Sequence, residues 1–151
     1  MVLRLPGASK LLKDMFRIRF SYTMALMLGG GVGIIEALKN TEAIFKNSVF
    51  KQIIGNAAVM VEKGESLSRA LSSKVVFDSS ILGMIRAGEM TDRVPQVLEK
   101  IGHNTEIELE EKLKSLTALV EPIIIIVLGI FVGFVVLAVM LPIFQVNQLF
   151  L

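Results

Sequence analysis

Pro122-Ile-Ile-Ile-Ile-Val-Leu-Gly-Ile-Phe-Val-Gly-Phe-Val-Val-Leu-Ala-Val-Met-Leu-Pro-Ile-Phe144 carries no charged residue and no amide side chain over 23 positions. As a helix at 1.5 Å per residue this run is about 35 Å long, enough to cross a hydrocarbon core of roughly 30 Å with some tilt. A helix buried in a soluble core seldom stays apolar on every face for that length. The run therefore reads as a transmembrane helix, taken as residues 122–146 with a short tail at 147–151. The 16 basic and 14 acidic residues all precede Pro122. Lys112 and Lys114 lie close on its N-terminal side, and the tail has neither lysine nor arginine. The positive-inside rule then predicts that residues 1–121 face the cytoplasm and the tail lies beyond the membrane.

The rest of the composition narrows the function. Of the 151 residues, 53% are hydrophobic and 20% charged, with a mean hydropathy of +0.66, more apolar than an ordinary soluble domain. The absence of cysteine excludes disulfides and thiolate metal sites. A single histidine and a single tyrosine leave few groups for acid–base work near neutral pH, and the chain is read as a non-enzyme without a cofactor. The first turns are locally basic, with Arg4, Lys10, Lys13, Arg17 and Arg19 against Asp14. Acids and bases alternate thereafter, without the aromatic-interleaved basic face of a nucleic-acid binder. Met1–Lys10 has no apolar stretch long enough for a secretory signal.

Residues 9–121 read as helices, with no alternating strand pattern. Leu12, Phe16, Phe20, Thr23 and Met27 recur at helical spacing, and Gly29–Gly31 break the pattern. A shorter helix is predicted over Val32–Lys39. Asn47 or Ser48 caps a third, with Phe50, Ile53, Ala57 and Val61 inward and Gly64 as its stop. Ser66 caps a short helix bearing Leu67, Ala70 and Leu71, and Asp78 caps another bearing Ile81, Leu82 and Ile85, ending near Gly88. Asp92 is predicted to cap the longest helix, with Pro95 in its first turn. The inward face of that helix reads Leu98, Ile101, Thr105, Leu109, Leu113, Leu116 and Val120. Outside it, Glu108 with Lys112 and Glu110 with Lys114 form i,i+4 pairs.

Chemistry-bearing motifs are scarce. The glycines at 29–33 lack the lysine and hydroxyl of a phosphate loop, since Ile34 and Ile35 follow Gly33 and the next lysine is Lys39; they read as a tight helix corner. His103 has no second histidine or cysteine with which to share a metal. Glu106, Glu108, Glu110 and Glu111 spread around their helix among lysines, as a solvated face does. Gly129 and Gly133 form a GxxxG that would let two membrane helices approach closely. The polar segment Ile85-Arg-Ala-Gly-Glu-Met-Thr-Asp-Arg-Val94 joins two amphipathic helices. Its Glu89 and Arg93 are the candidate partner contacts.

In order along the chain stand Arg19-Phe-Ser-Tyr-Thr-Met-Ala-Leu-Met-Leu-Gly29, Gly33-Ile-Ile-Glu-Ala-Leu38, Val61-Glu-Lys-Gly-Glu-Ser-Leu-Ser-Arg-Ala-Leu71, Met84-Ile-Arg-Ala-Gly-Glu89, Leu119-Val-Glu-Pro-Ile-Ile124 and Leu141-Pro-Ile-Phe144. Together they resemble the F-type platform proteins of type II secretion systems and type IV pili, with relatives in competence machines. Members usually carry a second glycine and a leucine after the Gly-Glu pair, where this chain has Asp92 and Val94. They are usually more than twice as long, and this chain resembles their second cytoplasmic domain and last span.

The resemblance implies an all-α fold, a six-helix antiparallel cytoplasmic bundle followed by one C-terminal transmembrane helix. It implies a platform in the bacterial inner (cytoplasmic) membrane that couples a secretion or pilus assembly ATPase to the polymerisation of pilin-like or pseudopilin subunits. The expected partners are that ATPase, those subunits, other inner-membrane platform components, membrane lipid and further copies of the chain as a homo-oligomer. No nucleic-acid partner is expected. The alternative is a tail-anchored helical adaptor or regulator unrelated to fibre assembly.

Overall fold

The computed structural model describes the backbone of residues 6–72 and 76–148; side chains are described over 9–72, 76–115, 117–118 and 122–138. Among these residues the chain is all-helical: α1 (Pro6–Gly29), α2 (Ile34–Ile44), α3 (Ser48–Glu62), α4 (Leu67–Ala70), α5 (Ser79–Met90) and α6 (Val94–Gln148). It divides into two compact units, Met1–Leu109 and Glu110–Leu151.

In the first unit, consecutive helices pack on one another from α1 through α5. Phe16 is the centre of the core. Its ring lies 4.3 Å from that of Phe50, 4.8 Å from Phe45, 5.8 Å from Phe20 and 6.0 Å from Phe77. One aromatic residue thus joins α1 to the α2–α3 connection, to α3 and to the segment before α5. Phe20, Met24, Leu38, Ile54, Leu67, Leu71, Ile85 and Leu98 are buried in the same core. Removing a buried phenylalanine of this kind costs about 3–5 kcal/mol. The core face of α1 is carried by Met24, with Thr23 only half-buried.

Three helix ends share one device. The chain's three positive φ values fall at Gly31 (84°), Gly64 (92°) and Asp92 (55°) among the described residues. In each case the next amide donates back across the turn: Val32 to Met27 at 3.0 Å, Glu65 to Met60 at 3.0 Å and Arg93 to Gly88 at 2.8 Å. This is the Schellman closure, which satisfies carbonyls left free at a helix C-terminus and asks for a left-handed residue. The glycines at 29–31 thus end α1 and turn the chain into α2.

Two expectations are corrected here. Asp92 does not cap α6; it is the left-handed residue closing α5, and Val97 N–H donates to the Arg93 carbonyl at 3.1 Å as α6 begins. The second helix runs on to Ile44 rather than stopping at Lys39. Asn40-Thr41-Glu42 carries no breaker, and Thr41 is fully buried.

The predicted inward face of α6 holds for Leu98, Ile101 and Thr105, whereas Leu109 is half-buried and Leu113 exposed. Helical periodicity reports that a face is apolar, not that something covers it. The side chains of Leu116 and Val120 lie outside the described residues. In the second unit, Lys114 Nζ lies 3.9 Å from Glu110 Oε2, and Thr117 Oγ1 donates to the Leu113 carbonyl at 3.0 Å. Every large apolar side chain described from Ile123 to Leu137 is exposed. Among the described residues no helix is long and apolar enough to cross a membrane. Described side chains of the apolar run stop at Ala138, so the expected span 122–146 lies partly outside them, as do tail residues 149–151.

Candidate functional site

The predicted contact residues Glu89 and Arg93 stand where α5 ends and α6 begins, and they face different surroundings. Glu89 is half-buried and turns toward α4. Its Oε1 accepts from the amides of Leu67 and, at 3.4 Å, of Ser68; its Oε2 accepts from Ser68 Oγ at 2.6 Å. Ser66 Oγ accepts from the Arg69 amide at 3.3 Å. The first three amides of α4 are therefore all satisfied, two by a carboxylate arriving from α5. A negative charge at a helix N-terminus is also favoured by the dipole. A helix of four residues is too short to persist by its own propensity, and α4 is held by these contacts and by the burial of Leu67, Ala70 and Leu71. Arg93 is exposed.

Gly88 explains the other half of the Gly-Glu pair. A Cβ there would sit 3.0 Å from Val97 Cγ2, 3.2 Å from Val97 Cβ and 3.4 Å from Val94 Cα. Only a residue without a side chain lets the first turn of α6 lie this close to α5. Thr91 Oγ1 donates to the Ala87 carbonyl at 2.8 Å and secures the last turn of α5. The two segments Gly64-Glu-Ser-Leu-Ser68 and Ala87-Gly-Glu89, 20 or so residues apart in sequence, thus meet as one corner.

Two further polar links were not legible in the sequence. Arg17 donates through Nε to the Val76 carbonyl, and its guanidinium lies 3.4 Å from Asp14 Oδ1 and 3.6 Å from Asp78 Oδ2. Asp14 is almost fully buried, and through Arg17 the cluster ties α1 to the segment before α5 and to its cap Asp78. Tyr22 Oη donates to Glu106 Oε2 at 2.7 Å, joining α1 to α6. That hydrogen bond, aided by burial and the charges of Glu106 and Glu99, raises the Tyr22 hydroxyl above its usual pKa. The Tyr22 ring is also what a Cβ on Gly102 would meet, at 3.3 Å. No sequence signal pairs residues so far apart as these.

His103 is exposed on α6, and among the described residues no cluster of histidine and carboxylates is arranged to hold a metal ion. Gly129 and Gly133 lie in the second unit. Four residues apart on one helix, they share a face, and a Cβ at either would meet nothing within 4 Å.

The family model described as "Type II secretion system (T2SS), protein F" matches residues 20–142. Over 145 residues the chain is 37% identical to the type IV pilus assembly protein PilC of Thermus thermophilus, covering 95% of this chain and 36% of that protein. It is 32% identical over 148 residues to type II secretion system protein F of Pseudomonas aeruginosa, covering 98% and 36%. It is also 32% identical over 148 residues to the type 4 fimbrial assembly protein PilC of Pseudomonas putida, covering 98% and 37%. The chain spans a little over a third of the length of these curated relatives.

Proposed function

The chain belongs to the family of type II secretion system protein F, and from that premise we propose that it serves as an inner-membrane platform element of a type II secretion, type IV pilus or competence-type machine. The observation that carries this reading is the extent of the family match: residues 20–142 take in both the helical unit and most of the apolar run. An adaptor unrelated to fibre assembly would share neither over that length.

In this reading residues 1–121 form the cytoplasmic domain, 122–146 the transmembrane helix and 147–151 the extracytoplasmic tail. The exposure of every described large side chain from Ile123 to Leu137 supports the span, because so long an apolar surface is tenable only when lipid or protein covers it. The lysines before the run and their absence after it support the orientation. A reporter active only outside the cytoplasm, fused after Leu151, should be active; an inactive reporter there, with an active one fused before Met1, would reverse the topology.

The platform's work is mechanical. A cytoplasmic assembly ATPase engages the helical domain, and motion passed to the span moves pilin-like or pseudopilin subunits from the bilayer into the fibre. The chain itself hydrolyses nothing. Arg93, exposed at the α5–α6 corner, is the contact for the ATPase. Glu89, beside it, supports that corner by holding α4. Gly129 and Gly133 provide a face for self-association within the membrane.

Deletion of the encoding gene in its host tests the proposal. Loss of surface fibres or of protein secretion, restored by the intact gene, is the expected result; undiminished assembly and secretion would overturn it.

A further inference from the structure

Gly83 stands in the middle of α5, and a Cβ built on it would meet nothing within 4 Å. Glycine is among the poorest helix formers, and at Gly88 its presence is explained by the Val97 side chain against it. No neighbour among the described residues explains Gly83. It opens instead onto a groove of about 480 Å³ between α4 and α5, flanked by Arg69 and Arg86 and edged by the hydroxyl-bearing Ser66 and Ser79.

The charges around this groove are unevenly committed. Arg86 is exposed and makes no ion pair among the described residues. Arg69 pairs with Glu65 at 3.2 Å, but its side chain is 72% exposed, and an exposed i,i+4 pair of this kind is weak enough to exchange for an incoming carboxylate. Of the neighbouring acids, Glu89 already gives both oxygens to α4 and Ser68, and Asp78, next to Ser79 at the groove's edge, lies 3.6 Å from Arg17. Two guanidinium groups, each able to hold a carboxylate through two N–H donors, therefore flank a floor from which a side chain has been removed.

We propose that the α4–α5 groove is a docking site for an extended acidic segment of a protein partner, with the segment's backbone lying over Gly83 and its carboxylates held by Arg69 and Arg86. The proposal asks nothing of the family assignment: it rests on the open glycine and the two arginines, and it would stand if the chain had no part in fibre assembly.

The test uses the full chain in micelles of an uncharged detergent and a fluorescein-labelled peptide of alternating glutamate and alanine, followed by anisotropy. The wild-type chain should bind the peptide with an affinity that falls as salt rises. Gly83→Leu, which fills the floor, and Arg86→Glu should each weaken binding about tenfold, with helical circular dichroism retained. Lys51→Glu, which removes an exposed cation on α3 outside the groove, should change affinity less than about twofold. The proposal is overturned if the wild type binds the peptide no better than one of alternating serine and alanine. It is equally overturned if Gly83→Leu binds as the wild type does, or if Lys51→Glu weakens binding as much as Arg86→Glu.

Discussion

At Asp92 the backbone adopts φ 55° to close α5, in the position that Gly31 and Gly64 occupy at the ends of α1 and α3. Aspartate tolerates this conformation better than most residues, yet it still pays for its Cβ. The segment Gly88-Glu89-Met90-Thr91-Asp92 departs from the family pattern at this residue, where a glycine is usual. Asp92→Gly should therefore stabilise the folded chain by about 0.5–1 kcal/mol and raise the melting midpoint by several degrees; a lower midpoint would mean that the carboxylate contributes something the backbone does not reveal. Tyr22 offers a second residue-scale test. Its hydroxyl donates to Glu106, and its pKa is raised in the folded state. The stability it contributes is thus fully present below the usual tyrosine pKa near 10 and is lost as pH rises through the raised value. Stability measured above about pH 10 should fall more steeply in the wild type than in Tyr22→Phe. The chain has one tyrosine and no tryptophan, so tyrosinate absorbance follows this group alone; a midpoint at or below 10 would contradict the hydrogen bond.

At the scale of elements, α4 and the start of α5 were readable because their caps are local: Ser66 and Asp78 each accept from an amide three residues on, at 3.3 Å and 3.0 Å. The end of α2 and the start of α6 were not. Thr41 is polar by type but buried by tertiary packing, and Asp92 has the chemistry of an N-cap in a turn whose hydrogen bonds make it a C-terminal closure. Glu89 was legible as part of a corner, but its engagement with Leu67 and Ser68, about 20 residues earlier, depends on how α4 and α5 pack. This separates the two candidate contacts experimentally. Glu89→Ala leaves two α4 amides and the Ser68 hydroxyl without their acceptor and should destabilise the chain by about 1–3 kcal/mol. Arg93→Glu changes an exposed residue and should shift stability by no more than about 0.5 kcal/mol. Equal losses in thermal melts would refute this division of roles. On α6, replacing both Gly129 and Gly133 with isoleucine should reduce crosslinking between copies in membranes by keeping the helices apart. Crosslinking at the wild-type yield would make these glycines incidental.

At the scale of the molecule, the strongest sequence signal was the one that composition alone carries: a run without charge from Pro122 to Phe144, beside an N-terminal part in which acids, bases and apolar residues alternate at helical spacing. That contrast divides the chain into a part that can hold its own core, centred on Phe16, and a part whose described side chains are bare hydrocarbon. In the function proposed above this division has a purpose: the helical part is the cytoplasmic surface that is pushed, and the apolar run is the helix that carries the push into the bilayer. The most direct test isolates the full chain from crosslinked membranes of its host and asks whether the assembly ATPase comes with it. The proposed coupling to the ATPase predicts that the ATPase is recovered with the wild-type chain and that its recovery falls markedly with Arg93→Glu at an unchanged melting midpoint. Wild-type chain recovered without the ATPase, from membranes actively assembling fibres or secreting protein, would contradict it.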